Sequence, residues 1–97
     1  MAKKEYLWVK DTEDKKRVGL TKDGQEALGK VKFVDLPIVG NQINKGDSTG
    51  SVEAQKAVVE LQSPVSGKIV TVNDKLNDDP ELLNGSEEDA WLFEVNK

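Results

Sequence analysis

The sequence predicts a mainly β fold, a small barrel or sandwich with two short helical segments, on three observations. The apolar runs are short and rich in Val, Leu and Ile, the filling of compact β structure. Clusters of Gly, Pro, Asn, Asp and Ser separate them at short intervals. The last run sets Trp91, Phe93 and Val95 at alternate positions, the period of a strand. A chain of 97 residues is the size of one domain. No low-complexity linker divides it, so residues 1–97 are read as a single domain.

The elements follow in order. Tyr6 to Val9 is a short aromatic and aliphatic run that reads as a strand, and Asp11 to Lys16 is a charged turn. Arg17 to Leu20 is a second strand. Thr21 then has the chemistry of a helix N-cap, with the helix running through Leu28 and Gly29 as its stop. The capping box is incomplete, because Gly24 stands where Glu or Gln would reach back to the cap. Val31 to Leu36 is a strand ended by Pro37. Gly40-Asn41 and Lys45-Gly46-Asp47 are turns with Ile43 between them. Ser51-Val52-Glu53 and Val58-Val59-Glu60-Leu61 are β-prone runs flanking the polar centre Ala54-Gln55-Lys56-Ala57, which is a hairpin pattern. Ser63 to Gly67 is a turn, and Lys68 to Val72 a strand with Val70 and Val72 on one face. Asp79 to Gly85 is a helical turn, with Asp79 placed to cap it, Pro80 at the first helical position and Gly85 at the exit. The strand count is about six or seven.

Composition narrows function more than it narrows the fold. The net charge is −4, and no window is a basic patch with interleaved aromatics, so neither nucleic acid nor an anionic membrane is an expected partner. Cysteine and histidine are both absent. That removes thiol chemistry, the usual zinc and copper ligands and the Ser-His-Asp triad. The carboxylate groups Asp78-Asp79 and Glu87-Glu88-Asp89 sit among Asn, Ser and Gly, where solvation keeps acids ordinary; general acid–base work needs a dry site. Asp74 to Asp79 lacks the alternating oxygen ligands of a calcium loop, so no metal site is expected. The glycines at 40, 46, 50 and 67 match no phosphate-binding motif and read as turns. No catalytic residues are expected and the chain does not read as an enzyme. The apolar runs are too short to span a membrane, and Met1-Ala2-Lys3-Lys4-Glu5 has no apolar region after it, so the default location is cytoplasmic.

Lys56 is the residue whose setting suits a task. Two strands would hold it at an exposed tip between small and polar neighbours. A covalent swinging arm needs that arrangement, with an amine that a modifying enzyme can reach and a rigid base behind it. A lysine stem extended by an eight-carbon acyl chain would reach on the order of 14 Å, taking backbone-like atom spacings. By composition alone the bland reading is the commoner one, since turns are polar everywhere.

Many separate blocks change that weighting. Val18-Gly19-Leu20-Thr21, Gln25 to Gly29, Phe33 to Pro37, Val39-Gly40, Lys45-Gly46-Asp47, Gly50 to Ala57, Ser63 to Gly67, Val70 to Asn73 and Asp79 to Asn84 together resemble the glycine cleavage system H protein family, in one order over roughly residues 18 to 95. The resemblance implies a barrel-sandwich hybrid of two small sheets, of the lipoyl/biotinyl carrier type. It implies lipoate in amide linkage on Lys56, with Glu53 at the family's glutamate three residues earlier, a candidate for recognition by the attaching enzyme. It also implies partners: a lipoate ligase or lipoyl/octanoyl transferase, a dihydrolipoyl dehydrogenase, glycine decarboxylase and an aminomethyltransferase. A biotinyl carrier would share the fold, but its lysine sits in a setting like A-M-K-M, and this chain has no methionine beyond Met1.

The chain departs from the family pattern in places. Tyr6 and Leu7 stand where the family's K-E-H-E-W run has His and Glu; Ala54 and Gln55 replace Ser and a hydrophobic residue; Glu87 to Ala90 replace a D-P-Y-G-x-G block; and the chain stops before the family's C-terminal helix. These departures favour a short H-like carrier serving sirtuin- and macrodomain-type ADP-ribosylation enzymes in redox defence. The alternatives are the H protein of glycine cleavage itself, and an interaction module that kept the fold without the cargo.

Overall fold

The computed structural model describes residues 6–96. Eight strands are found among them: β1 (Leu7–Asp11), β2 (Lys15–Leu20), β3 (Val31–Asp35), β4 (Gln42–Ile43), β5 (Ser48–Ala54), β6 (Val58–Gln62), β7 (Gly67–Val72) and β8 (Trp91–Asn96). Helix α1 (Lys22–Leu28) lies between β2 and β3, and helix α2 (Lys75–Asp78) and a 3-10 turn (Pro80–Asn84) precede β8. Five strands form one sheet in the order β1-β2-β8-β7-β4, and three form a second in the order β3-β5-β6. Every pairing is antiparallel. This is the predicted mainly β fold, a barrel-sandwich hybrid.

Both sheets contribute to one core. Val18 and Leu20 from β2, Ile69 from β7 and Leu92, Phe93 and Val95 from β8 meet Val31 and Val34 from β3, Val52 from β5 and Leu61 from β6. Leu28, Leu76 and Leu83 pin α1, α2 and the 3-10 turn to the same cluster. Fully burying each of these leucines contributes about 1.5–3 kcal/mol, which is why a seven-residue helix, far too short to persist alone, is held here. Thr21 Oγ1 accepts from the Gly24 N–H at 3.0 Å, so the N-cap forms as expected.

Several local expectations are corrected. β2 begins at Lys15, and the first turn shrinks to Thr12–Asp14, closed by the Thr12 N–H donating to the Lys15 carbonyl at 2.8 Å. Lys15 and Lys16 can be strand residues because they pair with Asn96 and Val95 of β8 while remaining partly exposed. Gln42–Ile43 pairs with Lys68 and Gly67 as a short edge strand, because Ile43 is buried. Leu76 likewise pulls Lys75–Asp78 into a helical turn where a loop was expected. Asp79 makes no side-chain cap to the 3-10 turn. A register shift between Ile69 and Thr71 breaks the alternation of β7, so Ile69, not Val70 or Val72, is the fully buried residue. In β8 alternation also fails: Leu92 to Val95 are all buried, because this strand lies inside the sheet between β2 and β7.

Gly50 marks the bulge in β5, where the register to β6 shifts between Ser48 and Ser51. A Cβ there would collide with the Asp35 carbonyl, so only glycine lets β3 and β5 approach at that point.

Candidate functional site

The hairpin made by β5 and β6 is built to be rigid at its base and open at its end. Its register pairs Ser51 with Glu60, Val52 with Val59 and Glu53 with Val58. Val52, Ala54 and Leu61 are buried, so the inner face of the hairpin is fixed in the core. The tip closes with the Ala54 N–H donating to the Ala57 carbonyl at 2.9 Å. Glu53, Gln55 and Lys56 are exposed. Lys56 therefore stands on a two-stranded finger with its amine outside the core.

The finger is not free-standing. Its tip rests on the end of α1: the Gln55 N–H donates to the Lys30 carbonyl at 2.8 Å and the Lys56 N–H to the Leu28 carbonyl at 3.0 Å. Lys56 Nζ donates to the Glu26 carbonyl at 3.1 Å. The last turn of α1 has no basic residue of its own. Lys56 supplies both a backbone donor and a cation to carbonyls that the helix leaves unpaired. The seat under the tip is itself braced. Asn84 grips the segment on both sides of Lys30, accepting from the Val31 N–H at 2.8 Å and donating to the Gly29 carbonyl at 2.8 Å. Gln25 Nε2 donates to the Leu83 and Gly85 carbonyls at 2.7 and 2.9 Å.

Glu53 sits on β5 opposite both Phe33 of β3 and Val58 of β6. Phe33 and Val58 are 59% and 67% exposed, so the carboxylate lies between two bare apolar side chains on the outer face of the small sheet. On the other flank of the finger, β6 borders a surface depression of about 500 Å³ lined by Tyr6, Leu7, Lys45, Gly46 and Val59 to Pro64.

The sequence alone singled out Lys56 and Glu53, and the structure places both on the finger, one at the tip and one at its side. It did not reveal the seat formed by α1, Gly29 and Asn84, or the depression. The residues of the seat were visible only as a helix stop and a helical turn, and nothing local signals that the two meet under the hairpin. The acidic stretches do not join the site: Asp78, Asp79, Glu87, Glu88 and Asp89 are all exposed. Among the described residues no group of three His, Cys, Asp or Glu is placed to hold a metal ion. No helix among them is long and apolar enough to cross a membrane.

Two small sheets around one core, with a single lysine carried out on a braced hairpin, define the class of carrier domains. The chain belongs to the glycine cleavage H-protein family, whose model matches residues 1–97. It is 46% identical over 93 residues to the glycine cleavage system H protein of Oceanobacillus iheyensis, a match covering 95% of this chain and 74% of that one. It is 49% identical over 92 residues to the namesake of Photorhabdus laumondii, covering 93% of this chain and 71% of the relative. The crystal structure of a glycine cleavage system H protein from Mycobacterium marinum superposes with a TM-score of 0.84 at 37% identity, over 93% of this chain and 76% of that one.

These relatives back the alternative, the H protein of glycine cleavage, better than the expectation of a carrier dedicated to sirtuin- and macrodomain-type ADP-ribosylation enzymes. They are named for glycine cleavage, and nothing among them supports the ADP-ribosylation link. That expectation leaned on altered loops, but substitutions such as those at Tyr6, Leu7 and Gln55 leave the fold and the finger of the family in place.

Proposed function

We propose that this chain is the lipoyl carrier of a glycine cleavage system, with lipoate held in amide linkage on Lys56 and no catalysis of its own. One observation carries the reading: in a chain that the family's model matches throughout, the Lys56 amine is exposed at the end of the hairpin while the backbone on both sides of it is fixed. The site suits an acyl group. The amine is hydrogen-bonded to a neutral carbonyl, and the exposed finger can enter the active site of an attaching enzyme.

Held in amide linkage on Lys56, lipoate would supply a disulfide able to accept an aminomethyl group. This chain's own residues position that chemistry. Buried Val52 and Leu61 stiffen the finger, so the lysine stem projects from a fixed point. Glu53, between Phe33 and Val58, offers a lipoate ligase or lipoyl/octanoyl transferase a charge flanked by apolar contacts. The depression beside β6, with Tyr6 and Leu7 in its wall, offers a loaded arm an open, partly apolar surface to lie against between visits. The partners that follow are glycine decarboxylase, an aminomethyltransferase and a dihydrolipoyl dehydrogenase, with the cytoplasm as the place of work.

The test is exchange of labelled bicarbonate into glycine by glycine decarboxylase, with this protein lipoylated in vitro as the only carrier. Saturable exchange that vanishes with Lys56→Arg is the expected result. A protein that is fully lipoylated at Lys56 yet supports no exchange would overturn the glycine cleavage role.

A further inference from the structure

We infer that the C-terminal turn of α1 is a seat that orients Lys56 for acylation, with Gly29 as its positioning residue; this rests on reading Lys56 as the acylated lysine. An exposed lysine ordinarily samples many rotamers, and holding it in one costs side-chain entropy. Here three contacts converge on it. Its N–H is bound by the Leu28 carbonyl, its Nζ by the Glu26 carbonyl, and its stem lies along Gly29.

Gly29 is needed there twice over. Its backbone has φ 73° and ψ −150°, a conformation that residues with a side chain avoid. The space is also taken: a Cβ at this position would stand 3.3 Å from Lys56 Cγ and 3.5 Å from Cδ. A Cβ at 29 is tighter on Lys56 Cγ than ordinary contact, so the stem must shift by a few tenths of an ångström, which moves Nζ relative to the Glu26 carbonyl.

The seat serves the chemistry of amide formation. The neutral amine attacks the acyl carbon of an acyl-adenylate; the N–C bond forms, the bond from acyl carbon to phosphate oxygen breaks, AMP leaves and the nitrogen gives up one proton to solvent. A carbonyl accepting one N–H turns the nitrogen lone pair away from α1 and toward the incoming donor. The product amide retains one N–H for the same carbonyl. Orientation of this kind acts on the chemical step and not on docking.

The experiment compares three chemically synthesised chains: the parent, Gly29→Ala and Gly29→D-Ala. The D-residue tolerates the positive φ and reverses the direction of the methyl group, so it separates backbone strain from displacement of the stem. Kinetics of acyl transfer by a lipoate ligase are read beside side-chain NMR couplings of Lys56. In the parent the couplings should report one dominant rotamer. In folded Gly29→Ala they should average, with kcat down about tenfold and KM within about twofold, inside the hundredfold that a 1 Å misplacement can cost. Gly29→D-Ala should stay close to the parent in both. Freely averaging couplings in the parent, a folded Gly29→Ala with parental kcat and KM, or a D-Ala chain as impaired as the L-Ala chain would each overturn the seat. If Gly29→Ala does not fold, the parental couplings and the D-Ala kinetics still decide. A parent with an ordered Lys56 that the ligase never acylates would defeat the carrier reading on which the seat's role in acylation rests.

Discussion

The two sheets differ in what they hide. In the five-stranded sheet β8 has neighbours on both sides and buries four consecutive residues, Leu92 to Val95. One of them, Glu94, is charged, and it is matched by Arg17 of β2, whose Nε donates to Glu94 Oε2 at 3.0 Å while the guanidinium lies 4.7 Å from the centre of the Trp91 ring. The three-stranded sheet buries only its inner side. Its outer side leaves Phe33, Glu53 and Val58 in solvent, in one row across three strands. Stability and presentation are thus assigned to different regions. The large sheet buries its central strand between two neighbours, and the small one tolerates exposed apolar groups beside an exposed amine.

This contrast can be broken from its strong end first. Phe93→Ala removes the largest fully buried side chain of the core. It should cost about 3–5 kcal/mol, read as a lower midpoint in denaturant with an unchanged slope, and the residual folded fraction should still be acylated at Lys56. Arg17→Met is the next step down. It strips the partner from Glu94, whose side chain is 8% exposed, while Arg17 itself is 37% exposed. The loss should be about 1–2 kcal/mol, at the lower end for charged hydrogen bonds because solvent reaches the guanidinium. Acylation should be untouched. Val58→Thr is the smallest in stability, within about 0.5 kcal/mol because the side chain is exposed. Here the order reverses, and KM for the attaching enzyme should rise several-fold. A Val58→Thr chain that loses as much stability as Arg17→Met would erase the division between the sheets.

The same contrast explains what was legible in the sequence. The finger was readable because its signals are local: β-prone runs on both sides of Ala54 to Ala57, and a lysine at the centre. The helix from Thr21 to Gly29 was readable for the same reason, a cap and a stop at the right spacing. β4, α2 and the burial of Leu92 to Val95 were not, because each depends on a neighbour that only the fold supplies. Ile43 and Leu76 organise their segments by reaching the core, and Glu94 is tolerated inside only because Arg17 arrives from a strand 77 residues away in sequence. The seat under Lys56 belongs with these: Gly29 and Asn84 are 55 residues apart and meet only in three dimensions.

The central claim is that the exposed, braced amine of Lys56 is the point of attachment. Intact mass measurement of the protein from its native host, beside its Lys56→Arg variant, tests it most directly. A single lipoyl or octanoyl addition on the parent, mapped to Lys56 and missing from the variant, is the predicted result. A parent at its unmodified mass in cells that are actively attaching lipoate to other proteins, or an addition that survives in the variant, would contradict it.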